Sequence, residues 1–249
     1  MTDEIEYKLI EPEKEISGFV ESFWMLCNHS DEAKETVILP DGRIDLIFSQ
    51  SLQEPFHIIL LGIETMPEQV IIPPKTIMFA VSFKLLAVEY ILQESIAGLL
   101  GNAKKLNDNF WDLNAQILND FDSFHKIISQ KLTHLLPQDI DHRKEKLFTE
   151  IYLSEGEVSI KELSEKIGWN SRQINRYFTK EFGLSLKSYC GILRFRGSFG
   201  HIKQGKLFPE KNFSDQAHFI KEVKKLAGVS PKELFKNQND RFIQFSTLS

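Results

Sequence analysis

The sequence predicts an α+β chain of two domains: a β-rich sandwich or half-barrel with covering helices, then an all-α domain built from two helix-turn-helix units. Three observations carry this reading. Up to about residue 83 the apolar residues come in short runs rich in Val, Ile and Phe; beyond it they take helical spacing; and near Asp141 the net charge changes sign.

The strand-like runs are Phe19 to Cys27, Val37 to Phe48, Ile58 to Ile63 and Val70 to Phe83. They are broken or separated by turn chemistry at Pro40-Asp41-Gly42, Gln53-Glu54-Pro55 and Pro73-Pro74, where Pro presets φ and Gly accepts a positive φ. Helical spacing follows over Leu85 to Gln93. It returns from Asp108 to Leu136, with Phe110, Leu113, Ile117 and Leu118, then Phe124, Ile127, Ile128 and Leu132, on apolar faces. These helices are expected to cover an open side of the sheet. Residues 1–136 form the first domain in this division, and residues 137–142, with Pro137 and no apolar periodicity, form the linker.

The formal charge of −5 conceals an asymmetry. Residues 1–140 carry 10 Lys and Arg against 22 Asp and Glu, whereas 141–249 carry 20 against 13, so −12 is followed by +7. A basic half joined to an acidic half suits a chain in which one domain approaches phosphate and the other does not.

In the basic domain, residues 143–249 with a C-terminal tail, Lys144 to Leu153 reads as a helix. Ser159-Ile-Lys-Glu162 then has the form of a capping box, opening a helix with Ile160, Leu163 and Ile167 inward and Gly168 at its end. A new start at Asn170-Ser171 leads to Phe182, with Ile174, Phe178 and Phe182 inward and Gly183 as the stop. Arg172, Gln173, Asn175, Arg176 and Thr179 are left for solvent. Arg can present two donors to guanine and Asn can pair with adenine in the major groove, so this face suits base reading. Downstream, Phe213-Ser214-Asp215-Gln216 opens a helix with Phe219, Val223, Leu226 and Ala227 inward and Gln216, His218, Lys221, Lys224 and Lys225 outward. Gly228 ends it, and Ser230-Pro-Lys-Glu233 begins the last helix with an N-cap Ser and Pro at the first position.

The stretch from Phe213 to Glu233 closely resembles the signature of AraC/XylS-type transcriptional regulators, and Ser159 to Gly183 resembles the first helix-turn-helix of the same module; together the resemblance spans about residues 143–236. It implies two recognition helices, joined through a long helix, entering successive major-groove segments of double-stranded promoter DNA. By position it implies base-reading roles for Arg172, Asn175 and Arg176, and for Gln216, Ala217 and Lys221. The chain departs from the family pattern in Gly205 to Phe213, where Pro209 interrupts any helix and Asn212 stands for the turn Gly, so the leading helix of the second unit is expected to be short or irregular. Pro40 to Phe48 and Pro73 to Phe83 look like the β-rich domain found ahead of this module, which implies a small-molecule effector, homodimerisation, or both. RNA polymerase is a further partner that such a regulator implies.

Other classes are less well supported. His29, His57, His125 and His134 are scattered with no carboxylate placed to complete a strand-borne site, so no metal and no cofactor is expected. There is no G-x-S-x-G elbow, and Cys27 and Cys190 sit in apolar runs, so no catalytic residue and no enzyme activity is expected. Asp41, Arg43 and Asp45 read as a solvated hairpin end rather than a pocket. The alternatives retained are a protein-interaction module without sequence-specific DNA binding and a cupin-like small-molecule-binding protein. The acidic start and the lack of a bilayer-length apolar run predict a cytoplasmic chain without a membrane partner.

Overall fold

The computed structural model describes residues 4–208, 213 and 215–248. It divides into two compact units: one holds the chain to Glu35 with Arg43–Gly62 and Ile71–Ile140, the other Thr36–Gly42, Ile63–Val70 and the chain from Asp141.

The first unit is a single antiparallel sheet of six strands in the order β1-β2-β7-β4-β5-β8. Its members are β1 (Ile5–Ile10), β2 (Val20–Asn28), β4 (Ile44–Gln50), β5 (His57–Leu61), β7 (Thr76–Phe83) and β8 (Ala103–Lys105). The register places Phe23 opposite Val81, Leu46 opposite Val81, and Phe48 opposite both Phe79 and Ile58. Because side chains alternate across a strand, these residues share one face, and all are buried. Helix α1 (Phe121–Leu135), capped by Asp120, covers that face. Its Phe124 ring meets Phe23, Phe48 and Phe79 at centroid distances of 6.4, 5.4 and 5.5 Å. The helix expected to cover an open side of the sheet is thus present, and the described residues of this unit form one covered sheet rather than two packed sheets. The helix expected over Leu85 to Gln93 is present as a helical run over 86–92 that widens to π-type over Val88–Leu92 and stops where Gln93 takes φ 55°.

A two-stranded ribbon pairs β3 (Lys34–Ile38) with β6 (Glu68–Ile72). Most of β3 belongs by its contacts to the second unit. Val37 N donates to Arg241 O at 2.7 Å, Leu39 N to the side chain of Gln244 at 2.7 Å, and the buried Tyr189 hydroxyl to Gly42 O at 3.0 Å. Arg196 adds a bond to the carbonyl of Asp41. Backbone groups must find partners when buried, and Val37 N, Leu39 N, Asp41 O and Gly42 O find them among residues that follow Asp141.

The rest of this unit is helical: α2 (His142–Leu153), α3 (Ile160–Ile167), α4 (Ser171–Phe182), α5 (Leu186–Gly197), α6 (Phe199–Lys203), α7 (Gln216–Ala227), α8 (Pro231–Lys236) and α9 (Ile243–Thr247). Asp141 caps α2, and Arg143 beside it holds its carboxyl down to about 2. At the far end of α2, Gly156 has φ 77° and sits so close to α5 that a Cβ there would lie 2.5 Å from Cys190 O. The core is aromatic, with Phe148, Phe178, Phe182 and Tyr189 buried together.

Glu64, in the same unit, is 9% exposed, and its Oε1 meets no hydrogen-bond partner among the described residues. Burial, then the charges of Glu68 and Asp41, push its carboxyl from 4.5 up to about 7. The folded chain therefore holds a proton that the unfolded chain has already lost, and stability falls as pH rises from about 4.5 to 7 and stays lower above. Glu64→Gln is expected to leave stability near wild type at pH 4.5 and raise it by about 2 kcal/mol at pH 8. Urea denaturation at the two pH values checks this, and an equal difference at both would reject it.

Candidate nucleic-acid interface

Helix α4 is built to hold one polar face outward. Asn170 Oδ1 accepts from Gln173 N and the Gln173 side chain accepts from Asn170 N, both at 2.9 Å, so two otherwise orphaned donors of the helix start are satisfied. At the other end Gly183 takes φ 78° and its N–H donates to Thr179 O. The inward stripe of Ile174, Phe178 and Phe182 is fully buried. Burial of this one stripe and caps at both ends thus fix the rotation of the helix about its axis.

On the opposite side, Arg172, Asn175, Arg176, Thr179 and Lys180 line one shallow groove of about 560 Å³. Arg172, Arg176 and Thr179 are exposed, and Asn175 is half-buried with its amide donating to Ser171 O at 3.2 Å. The groove collects four of the five residues singled out on this helix. The fifth, Gln173, is absent from it because its side-chain oxygen is committed to the cap. Lys180, which sequence reasoning missed, forms an ion pair with Glu181 at 2.7 Å while lining the groove. Its position one turn beyond Arg176 was a usable signal. Helix α3, with its Ser159–Glu162 capping box, precedes α4 across the three-residue turn Gly168–Asn170, and Ser164 Oγ and Ser171 Oγ lie 3.2 Å apart where the two meet.

Helix α7 presents a second polar face. Gln216, Ala217, Lys221, Lys224 and Lys225 are exposed, whereas His218 is half-buried against the Phe213 ring, 5.7 Å between centroids. Asp215 caps α7 by accepting from His218 N at 2.8 Å, and Ser230 and Glu233 form the capping box that opens α8 with Pro231 at its first position. The described residues just ahead, Gln204 to Phe208, hold no helix. Pro209, Asn212 and Ser214 lie outside the described residues.

Two other groups differ from the sequence reading. Asp41, Arg43 and Asp45 are buried at 7%, 6% and 9% exposure, not solvated. Asp45 accepts from Trp24 Nε1 at 3.3 Å and from the Ser82 hydroxyl, and Arg43 donates to Ser22 Oγ. Strand pairing brings these partners from distant parts of the chain. The histidines also stand nearer to carboxylates than their spacing suggested: His29 Nε2 is 2.8 Å from Glu6, and His125 Nε2 is 3.4 Å from Glu13. Cys27 and Cys190 are free, and burial pushes both thiols up to about 11, far from a nucleophile's range. No helix among the described residues is long and apolar enough to cross a membrane.

Residues 8–103 match the model of a family described as a domain of unknown function, DUF6597. No curated protein matches the chain. Among solved structures it is similar to ToxT from Vibrio cholerae O395, with a TM-score of 0.43 and 12% identity over 99% of this chain and 100% of that one. A second structure of ToxT from Vibrio cholerae gives 0.39 and 14% identity over 94% and 98%. A third, unsaturated fatty acid bound wild-type ToxT from Vibrio cholerae strain SCE256, gives 0.40 and 11% over 96% of each chain. At this level of likeness the functional reading rests on the chain's own residues.

Proposed function

We propose that the chain is a sequence-specific DNA-binding transcriptional regulator of the AraC/XylS type, reading the major groove with α4 and α7. The observation that carries this reading is the groove on α4, where two arginines, an asparagine and a threonine lie opposite the buried stripe of a helix whose ends are capped. An Arg or Asn so placed can make two parallel hydrogen bonds to one base, which a flexible surface residue makes less well. The excess of positive charge beyond Asp141 supplies the attraction to phosphate, so affinity is expected to fall steeply with salt. In this reading the β-rich unit controls DNA binding through a small-molecule effector, pairing of two copies, or both, RNA polymerase is a partner, and the chain performs no chemistry.

The test is selection of fragmented genomic DNA by the purified chain at near-physiological salt, followed by sequencing. Enrichment of a shared motif supports the reading; a folded chain that enriches none overturns it and favours a protein-interaction module. With the motif in hand, Arg176→Ala is expected to weaken specific binding by about 1–3 kcal/mol and relax preference at one base pair, the effect of losing one bidentate contact. Unchanged preference at every position would remove Arg176 from the reading set.

A further inference from the structure

The β1–β2 edge of the first unit gathers three metal-ligating side chains that lie far apart in sequence. Glu6 on β1 stands directly opposite Cys27 on β2 in the antiparallel register. His29 follows Cys27 by two residues and so returns to the same side of the strand. Its backbone N–H donates to Glu4 O at 2.8 Å, which extends the pairing past the end of β2 and fixes the imidazole beside Glu6. A carboxylate oxygen of Glu6, the sulfur of Cys27 and a ring nitrogen of His29 all lie within 4.8 Å of one another. This is the one group of three or more such ligands gathered closely enough to hold a metal ion among the described residues.

We propose that Glu6, Cys27 and His29 form a binding site for a divalent late first-row cation, zinc foremost. The donor set of one thiolate, one imidazole and one carboxylate suits borderline-soft ions and disfavours magnesium and calcium, which take oxygen ligands. Zinc bonds of about 2.0–2.3 Å in a tetrahedron place ligand atoms roughly 3.3–3.8 Å apart. To reach them the Glu6–His29 pair, now 2.8 Å apart, opens by about half an ångström, and a separation as long as 4.8 Å closes by a little over an ångström. The two side chains that must adjust, Glu6 and His29, are 38% and 55% exposed, whereas Cys27 is buried and anchors the site. On binding, the Cys27 thiol gives its proton to solvent and its sulfur donates to the metal; Lys8, now 2.9 Å from Glu6 Oε1, yields its place on that carboxylate. Three protein ligands leave a fourth position open to water or to an external donor. The spacing of residues offered no carboxylate for His29 because Glu6 reaches it only across the strand pair.

The experiment is a cobalt(II) titration of the reduced full-length chain, read by the thiolate-to-cobalt charge-transfer absorption and reversed with zinc. One equivalent is expected to saturate the band, Cys27→Ser to abolish it, and Cys190→Ser to leave it in place. Glu6→Gln and His29→Gln, each checked for wild-type circular dichroism, are expected to weaken binding roughly tenfold or more, at least as much as the loss of an outer-sphere partner does. Absence of the band in the wild type, its survival in Cys27→Ser, or unchanged affinity in both Glu6→Gln and His29→Gln would overturn the site. None of these readouts depends on DNA binding.

Discussion

A chain with Arg172, Asn175 and Arg176 all changed to alanine is expected to fold as the wild type does and to retain no motif from genomic DNA. Each bidentate pair contributes about 1–3 kcal/mol of discrimination, so losing three base readers removes roughly 3–9 kcal/mol and brings specific binding toward the non-specific level. The fold should survive because the three side chains are outside the buried stripe of Ile174, Phe178 and Phe182, and because the Asn170–Gln173 cap is untouched. Alanine is also the best helix former, which offsets the loss of the Asn175 bond to Ser171 O. The measurements are thermal unfolding by circular dichroism and the sequencing of retained fragments. A triple variant that unfolds near the wild-type temperature and still enriches the wild-type motif would remove α4 as the reading helix.

Parts of this architecture are legible in the sequence because they are local. The Ser159–Glu162 and Ser230–Glu233 capping boxes, and the stops at Gly168, Gly183 and Gly228, each depend on residues within one helical turn, and the structure has all of them. The groove on α4 follows from its apolar stripe, since fixing the buried residues fixes the exposed ones. Gln173 shows the limit of that logic: periodicity places it outward, but a side chain at the third helical position can turn back to the cap. What depends on strand pairing is not legible. β1 and β8, a short pair of edge strands, carry no run of the apolar residues that mark the central strands, and the six-strand order needs contacts over many tens of residues. The bonds of Thr36 and Leu39 to Arg241 and Gln244 each span 205 positions, so nothing near Pro40 announces that this hairpin belongs with the helices. The burial of Asp45 likewise follows from Trp24 and Ser82, which reach it from neighbouring strands.

The opposite face of α4 should give the opposite phenotype. Phe178→Ala is expected to destabilise the helical unit by about 3–5 kcal/mol, a large part of the 5–15 kcal/mol that typically separates folded from unfolded domains. Phe178 is fully buried, with ring centroids 6.0 Å from Phe148, 5.2 Å from Phe182 and 5.9 Å from Tyr189. These neighbours come from α2, α4 and α5, and Tyr189 is further tied to Gly42 O and to the Tyr152 hydroxyl. Because the surrounding rings are held by several elements, they can collapse only partly into the space a lost phenyl leaves, and the cavity adds to the lost burial. Urea denaturation gives the stability difference, and DNA selection at a temperature where the variant remains folded separates it from the reading set. The expected outcome is a much lower unfolding midpoint with the wild-type motif still recovered at low temperature. A loss below about 1 kcal/mol would mean that the Phe148–Phe178–Phe182–Tyr189 cluster is not the packed core that fixes α4.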